Sequence, residues 1–337
     1  MRAAVDCMGG DKAPAAILQG CWDAASLLSG NDQVILIGLE DVIVPALAKA
    51  PIPSDKRKHY STVIATQVIE MDDSPVDSIR TKSDSSIGVM CKMVSRGEAD
   101  VAISAGNTGA CVAAAQLRMR MLQGVSRPGI SVVFPTFHGP VTICDVGANI
   151  APKPIHLHHY AIMASAYARA IHGIDNPRVG LMSIGEEDAK GTAIVKETRK
   201  LLRDESLINF VGNVEGGDLF KGVCDVVVCD GFVGNIVLKL SESLAEALFQ
   251  TIAMGVQEAD PETFDKLKSI MKGIYAKHDW QETGGAPLLG VDGYCLICHG
   301  RSEARAIRNA IRVGKQIFDS KINATIVEKI KSGIQEE

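Results

Sequence analysis

The chain has 337 residues and a formal net charge of −5, and 46% of its residues are hydrophobic. With 32 glycines and 13 prolines, this composition excludes a disordered or collagen-like chain and fits a globular protein of one large or two smaller domains. The negative charge gives no general attraction for nucleic acid, and no run of about 18 apolar residues is present to span a bilayer.

The first residues and the cysteines both indicate a cytoplasmic protein. Residues 2–6 are typical of a short strand rather than a signal peptide. The nine cysteines are scattered through apolar segments, as expected for reduced thiols in a core. Residues 295–299 match the CxxCH pattern of haem attachment, but haem attachment requires export, so a buried strand ending at His299 is the favoured alternative.

One pattern recurs along the chain: a β-branched apolar run, a turn rich in glycine and short polar residues, and an amphipathic helix. This alternation predicts an α/β fold with a mainly parallel sheet. The strands and the turns that follow them are 2–6 with 7–12, 101–104 with 105–109, 141–144 with 145–149, 178–183 with 184–192, and 225–229 with 230–235.

These turns are the first candidate for a binding site. In an open parallel sheet the turns after the strands share one edge, so we expect all five to meet at one cleft. Glycine lets backbone amides approach a ligand, and a helix N-terminus adds unpaired N–H groups, which together favour an anion. A single turn of this kind can equally serve turn geometry alone. Residues 104–109, where Gly106 and Gly109 flank Asn107 and Thr108, are the clearest candidate.

No cofactor and no resident metal are predicted. The chain has no GxGxxG motif after a strand and no GxxxxGK[ST] motif, which removes the usual support for a nucleotide site. His156 and His159 share a helical face, but further ligands are missing, so an ordinary helix N-terminus is favoured over a metal site. A divalent cation held by acidic residues of the turns, such as Asp11 and Glu186, remains open.

Residues 236–278 are predicted to form a helical hairpin that protrudes from a single catalytic domain spanning residues 1–337. Asp260 is expected to cap the second helix, with Pro261 in its first turn. Such a hairpin serves as a dimer core, as a membrane-surface anchor, or as both, and the sequence leaves these alternatives open.

With these turns in view, the chain resembles the phosphate acyltransferases of bacterial phospholipid synthesis, the PlsX family. The resemblance runs from end to end and is specific because seven blocks occur in order. They are AVDCMGGDKAP (4–14), ISAGNTGA (103–110), DVGAN (145–149), RVGLMSIGEEDAKG (178–191), GNVEGGD (212–218), DVVVCDGFVGN (225–235), and GGAPLLGVDG with HGRS (284–293 and 299–302).

The resemblance implies a three-layer α/β/α sandwich like that of the isocitrate dehydrogenases and phosphate acetyltransferases. It also implies a homodimer attached peripherally to the inner face of the membrane. The implied reaction transfers a fatty acyl group from acyl-acyl carrier protein to inorganic phosphate. Two departures stand out: residues 156–165 are rich in histidine, and Gly217 replaces an arginine common in the family block.

For this reaction the residues support positioning and electrostatic stabilisation rather than a covalent intermediate. The predicted catalytic residues are Asn107, Lys190, Asp230, Asn235 and His299, and the predicted substrate-binding residues are Gly106, Thr108, Gly109, Gly147, Asn149, Gly185 and Gly231. His299 is a candidate acid for the leaving thiolate, and a helix-capping histidine is the open alternative.

A basic stripe is the predicted docking surface for the acidic carrier protein. It lies on a helix expected over residues 301–318, at spacings of 4, 3, 4 and 3, and consists of Arg301, Arg305, Arg308, Arg312 and Lys315. A solvated helix face is the plain alternative. Two other functions remain in competition: a phosphate acetyltransferase-type enzyme using acyl-coenzyme A, and a noncatalytic scaffold that binds acyl carrier protein at the membrane.

Overall fold

The computed structural model describes residues 1–278, 282 and 284–334. Its strands are short and mostly buried, as their apolar sequences require. They are β1 (Arg2–Asp6), β2 (Gln33–Gly38), β3 (Tyr60–Ile64), β4 (Val101–Ser104), β5 (Gly129–Thr136), β6 (Gly139–Cys144), β7 (Arg178–Met182), β8 (Asn209–Val214), β9 (Val226–Val228), β10 (Ala286–Leu289) and β11 (Tyr294–Ile297).

Helices connect most of the strands and cover the sheet. They are α1 (Ala15–Asp23), α2 (Glu40–Lys49), α3 (Pro75–Thr81), α4 (Ser86–Ser95), α5 (Thr108–Ala114), α6 (Pro154–His172), α7 (Ala193–Asp204), α8 (Gly231–Ala259), α9 (Pro261–His278), α10 (Ala304–Ser320) and α11 (Ile322–Ile334). Among the described residues, no helix combines the length and the apolar character needed to cross a membrane.

The sheet is sandwiched between two helical layers, as the α/β pattern predicts. Alternate residues of β1 face opposite sides, so Ala3 and Val5 join one core while Ala4 joins the other. The first core contains residues of α1, α6, α10 and α11, and the second contains residues of α4, α5 and α8.

The strands form one sheet in the order β3-β2-β1-β4-β11-β10-β5-β6-β9-β7-β8. The five strands from β3 to β11 are mutually parallel, and so are the four strands from β6 to β8. Between these halves, β10 is antiparallel to both β11 and β5, and β5 is antiparallel to β6. Three successive reversals therefore leave the two halves pointing in opposite directions.

This reversal corrects the expectation that the five turns share one edge. The turns after β1 and β4 lie at the edge where β11 also ends, whereas those after β6, β7 and β9 lie at the opposite edge. The first will be called the β4 edge and the second the β6 edge. Five similar turns thus divide into two groups, because ladder direction and not turn sequence decides where a strand ends.

The predicted strands and the helical hairpin are present. Each of the five predicted strands coincides with an observed strand to within two residues at either end. The hairpin consists of α8 and α9, and α8 begins at Gly231, earlier than the predicted residue 236. Asp260 Oδ1 accepts a hydrogen bond from Glu262 N at 3.0 Å, which fits its expected capping role.

The first turn of α8 packs tightly against the turn after β6. A Cβ atom at Gly234 would stand 1.9 Å from the carbonyl oxygen of Asp145, and one at Gly231 would stand 2.7 Å from the carbonyl oxygen of Asn149. These contacts require glycine for space, since neither residue has a positive φ. They fix the direction in which α8 leaves the sheet.

We predict that Gly234→Ala destabilises the fold by about 1–3 kcal/mol or more, because the added methyl group cannot be accommodated against main-chain atoms. Gly255→Ala is the matched control, since it lies in the same helix with open space around it. It should be neutral or stabilising by roughly 0.5–1 kcal/mol through helix propensity. Urea unfolding compares the two, and equal effects would contradict the packing argument.

Candidate active site

Three turns pack against one another at the β4 edge. Asp11 N donates to Gly300 O at 2.8 Å, and Cys298 N donates to Ser104 O at 2.8 Å. A Cβ atom at Gly9 would lie 2.7 Å from the Cα atom of Gly106. The turns after β1, β4 and β11 therefore form a single unit.

A buried carboxylate lies beneath this unit. Ser104 Oγ donates to Asp6 Oδ2 at 2.7 Å and accepts from Gly106 N at 3.0 Å, so Asp6 holds the turn after β4 through one serine. Burial raises the pKa of Asp6, and hydrogen bonds from Ser86, Ser104 and the backbone oppose that rise. Asp6 has the contacts of a structural residue.

Asn107 holds together two segments of the protein. Its Oδ1 accepts from Ala110 N at 3.0 Å and so caps α5. Its Nδ2 donates to Met71 O and Asp73 O, both at 3.0 Å. Because the donors of the side chain already point at protein carbonyls, Asn107 positions the 70–74 loop.

The two glycines beside Asn107 serve close packing. A Cβ atom at Gly109 would lie 2.7 Å from Cγ of Pro75, and one at Gly106 would lie 3.2 Å from Cδ1 of Ile87. The small residues that mark this stretch of sequence thus make room for the protein's own chain. Thr108, between them, lines a cavity.

That cavity, which we call the polar pocket, has a volume of about 170 Å³. It lies where β11 and β5 are separated by β10, and so between the two halves of the sheet. Polar side chains from both halves line it, and they are Thr108, Ser131, Tyr167, Asn235, Lys239, Glu242, His299 and Ser302. The Oγ atom of Ser302 is buried and finds no hydrogen-bond partner among the described residues.

A larger cavity of about 640 Å³, which we call the α8 groove, opens from the polar pocket. Val133, Leu238, Lys239, Glu242 and His299 line both cavities, so the two are continuous. The α8 groove is mainly apolar, with walls that include Phe134, Pro135, Phe220, Leu244, Ala245, Leu248 and Phe249.

A charged cluster marks the junction of the two cavities. Lys239 Nζ lies 2.8 Å from His299 Nε2 and donates to Glu242 Oε2 at 3.0 Å. Arg301 N also lies 3.1 Å from His299 Nδ1, but a neutral imidazole accepts at only one nitrogen, so the ring cannot accept from Arg301 N while Nε2 accepts from Lys239. Burial, and next the charge of Lys239, lower the pKa of His299, so its ring is mostly neutral near pH 7.

The neutral ring bears on the predicted acid role of His299. A lowered pKa leaves little protonated imidazole to supply a proton at neutral pH. A thiolate, whose thiol has a pKa of about 8.5, leaves without protonation far more readily than an alkoxide or amide. The contacts of His299 favour a role in holding Lys239.

The β6 edge is organised by a second buried carboxylate. Asp145 Oδ1 accepts from the backbone N–H groups of Ile130, Gly147 and Ala148, and Asp145 Oδ2 accepts from Asn149 N at 2.7 Å. Burial raises the pKa of Asp145, and these four donors oppose that rise. Asp145 thereby shapes the whole turn after β6.

Most of the predicted site residues at the β6 edge either form hydrogen bonds within the turns there or do not line the polar pocket. Asn149 Nδ2 donates to Pro128 O and to the Tyr160 hydroxyl. Asp230 caps α8 by accepting from Val233 N at 2.9 Å. Gly147, Gly185, Gly231 and Lys190 also belong to this edge and do not line the polar pocket. Asn235 does line it, because α8 runs from the β6 edge to the pocket.

The basic stripe is partly neutralised by acids from distant parts of the chain. Arg305 Nη1 lies 3.0 Å from Glu282 Oε1, and Lys315 forms an ion pair with Asp32. Arg308 Nε donates to Asp23 O, and Arg312 Nη2 donates to Glu282 O. Arg301 is exposed and lines the α8 groove. The helix α10 begins at Ala304 and not at residue 301, so Arg301 lies before it. The stripe on α10 therefore consists of Arg305, Arg308, Arg312 and Lys315, and their partners Asp23, Asp32 and Glu282 lie outside that helix.

The cysteine and histidine clusters have structural contacts. All nine cysteines are buried, and burial raises the pKa of Cys295 and Cys298 to about 12, which argues against haem attachment or nucleophilic roles. His156 Nδ1 accepts from Lys153 N, and His158 Nε2 pairs with Glu205 at 2.9 Å. Within the ranges that the structure describes, no three His, Cys, Asp or Glu side chains are grouped to hold a metal.

Comparison with known proteins identifies the family. A profile described as "Fatty acid synthesis protein" matches residues 1–325. The phosphate acyltransferase of Geotalea uraniireducens is 44% identical over 333 residues, or 98% of this chain and 94% of that protein. The phosphate acyltransferase of Desulfitobacterium hafniense strain DCB-2 is 45% identical over 334 residues, or 98% and 97%. The chain belongs to the family of this profile, which its phosphate acyltransferase relatives support.

Membership of the fatty acid synthesis protein family confirms the predicted resemblance and the prediction of an acyltransferase. The EutD phosphotransacetylase from Staphylococcus aureus has a TM-score of 0.59 and 14% identity, covering 96% of this chain and 94% of that one. This likeness shows a shared fold and confirms the predicted relation to the phosphate acetyltransferase fold.

Sequence reasoning missed Lys239, Glu242 and Ser302. Asn235, Lys239 and Glu242 are spaced by four and three residues and so share one face of α8. If Asn235 faces the site, the other two side chains face it as well. Ser302 follows His299 in the HGRS block. The helical spacing and the HGRS block are both visible in the sequence, but the direction of α8 relative to the sheet is not.

We predict that Asn107→Asp releases the 70–74 loop. The carboxylate keeps the cap on α5 but presents oxygen to the carbonyls of Met71 and Asp73, which replaces attraction with repulsion. Hydrogen exchange at residues 70–74 should become faster while exchange in α5 is unchanged. Asn149→Asp is the control, and it should make hydrogen exchange faster near Pro128, whose carbonyl Asn149 binds, and not at residues 70–74. Unaltered exchange at 70–74 in Asn107→Asp would refute this role.

Proposed function

We propose that the protein transfers a fatty acyl group from acyl-acyl carrier protein to inorganic phosphate, forming an acyl phosphate for phospholipid synthesis. One observation carries the proposal: the Lys239 ammonium group, beside the neutral ring of His299, lies between a small polar pocket and a large apolar groove. A phosphate and a long acyl thioester need just these two neighbouring environments. The names of the relatives, phosphate acyltransferase, point the same way.

In the proposed reaction, phosphate occupies the polar pocket and one of its oxygens attacks the thioester carbonyl carbon. The C–S bond then breaks, the thiolate leaves on the carrier, and acyl phosphate remains. Lys239 balances the charge of phosphate and of the developing oxyanion, and Glu242 and His299 hold its ammonium group. Thr108, Asn235 and Ser302 orient the phosphate oxygens.

The β6 edge contributes indirectly in this proposal. Gly147, Asn149, Gly185 and Gly231, with Asp230 and Lys190, lie at the edge from which α8 starts. We assign Asp230, Asn149 and Gly231 the role of setting the direction of α8, because each contacts its first turn or the turn below it.

The partners follow from the surfaces. Arg301 at the mouth of the α8 groove and Arg308 on α10 are proposed to meet the acidic carrier protein. Exposed apolar side chains of α8 that do not line the α8 groove include Ile236, Leu240 and Ile252, each between 48% and 63% exposed. Such a surface supports the proposed homodimer and peripheral attachment to the inner membrane surface.

A hydroxylamine trap tests the reaction directly. Mixing the protein with phosphate and acyl-acyl carrier protein should yield an acyl hydroxamate, and acetyl-coenzyme A in place of the carrier should yield far less. Lys239→Met should lower kcat by about 10²–10³, as for loss of one oxyanion donor. Lys190→Met, which removes a cation from the β6 edge, should change kcat little. A reversed order of these effects would move the site to the other edge.

Charge reversal tests the carrier surface. Arg308→Glu should raise KM for acyl-acyl carrier protein about two- to fivefold, since one rim ion pair is lost, and should leave KM for phosphate unchanged. Lys196→Glu makes the same charge change at an exposed position of α7 and serves as the control. An equal rise in KM in both variants would show an effect of net charge and not of docking.

A further inference from the structure

The α8 groove has the shape and lining of a hydrocarbon site. One wall consists of consecutive β5 residues, Val133, Phe134 and Pro135. The other comes from α8, where Leu238, Ala245 and Phe249 share one helix face. Its volume of about 640 Å³ is several times that of the polar pocket, which is about 170 Å³.

The charges of the groove are unevenly distributed. The cationic side chains that line it, Lys239, His299 when protonated, and Arg301, stand at or beside the junction with the polar pocket. Glu242 pairs with Lys239 there, and Glu246 lies one turn further along α8. An occupant therefore needs an anionic head at the junction and an apolar tail along β5 and α8.

We infer that the α8 groove holds the hydrocarbon chain of a long-chain fatty acyl group, with its carbonyl at Lys239 and its chain between β5 and α8. This inference rests on the proposed function and adds to it the place of the chain. A two-carbon acyl group would fit in the polar pocket and leave the groove unused, whereas a long chain fills a cavity of the size usual for ligands, roughly 300–1,000 Å³.

Ala245 determines how much of the chain the groove accepts. Its methyl group is the smallest side chain that α8 contributes to the apolar wall beyond the junction. A large side chain there blocks the groove but leaves Lys239, nearly two helical turns away, untouched. Because Ala245 is exposed and lies outside the core, the fold tolerates a larger residue.

Binding of straight-chain alkylphosphonates, from butyl to dodecyl, tests the inference by calorimetry. The phosphonate stands in for the phosphate of acyl phosphate. In the unaltered protein, each added methylene should tighten binding by up to about fourfold until the groove is full. In Ala245→Trp, dodecylphosphonate should bind about tenfold more weakly or worse, while butylphosphonate stays within about twofold.

Ala247→Trp is the matched control. It makes the same substitution on the same helix at an exposed position that does not line the groove, so its chain-length profile should equal that of the unaltered protein. An unchanged profile in Ala245→Trp, or an equal loss in Ala247→Trp, would overturn the inference. So would a changed oligomeric state in Ala245→Trp without a changed profile, which would show an interface between two copies.

The binding series does not depend on turnover, which separates this inference from the proposed function. If the hydroxylamine trap finds no acyl phosphate but Ala245→Trp abolishes the chain-length dependence, the groove stands and the reaction is wrong. If acyl phosphate forms and binding shows no chain-length dependence, the reaction stands and the placement of the chain is wrong.

Discussion

The cleft depends on the way one short strand joins two half-sheets. β10 pairs with β11 through Ala286 and Pro287, and with β5 through Leu288 and Leu289. Since the first two residues pair on one side and the last two on the other, β11 and β5 are held near each other without being bonded. The polar pocket lies at this separation. Backbone hydrogen bonding therefore creates the cavity, and the side chains only line it.

Two buried carboxylates do comparable work on the two halves. Asp6 acts through Ser104 on the turn after β4, and Asp145 accepts from three backbone amides after β6 and from Ile130 N of β5. A carboxylate loses hydration when it is buried, and main-chain or hydroxyl donors compensate for that loss. Acidic residues close to the glycine-rich turns argue against an anion site there when only the sequence is considered. In these two cases the carboxylate instead accepts hydrogen bonds that hold the turn in shape.

The sequence predicts the strands and the fold class well, because short apolar runs and glycine-rich turns are local signals. It does not predict that the halves oppose each other, since that depends on the pairing of β5 with β10, whose partners Ile130 and Leu288 lie more than a hundred residues apart. The same limit applies to the basic stripe: Asp32 lies 283 residues from its partner Lys315. Thr108, Asn235 and His299 were predicted and reach the pocket, while Lys239 required the direction of α8.

The helix α8 starts beside Asp145 at the β6 edge, and about two turns later it places Lys239 in the cleft. Its first turn therefore sets the position of a side chain in the site. Intolerance to mutation at Gly231 or Gly234 would consequently look like an active-site defect although neither residue meets a ligand. Substitutions of residues that orient a helix and of residues that contact a substrate can both abolish activity. The two kinds of residue are distinguished by the distance of each side chain from the ligand.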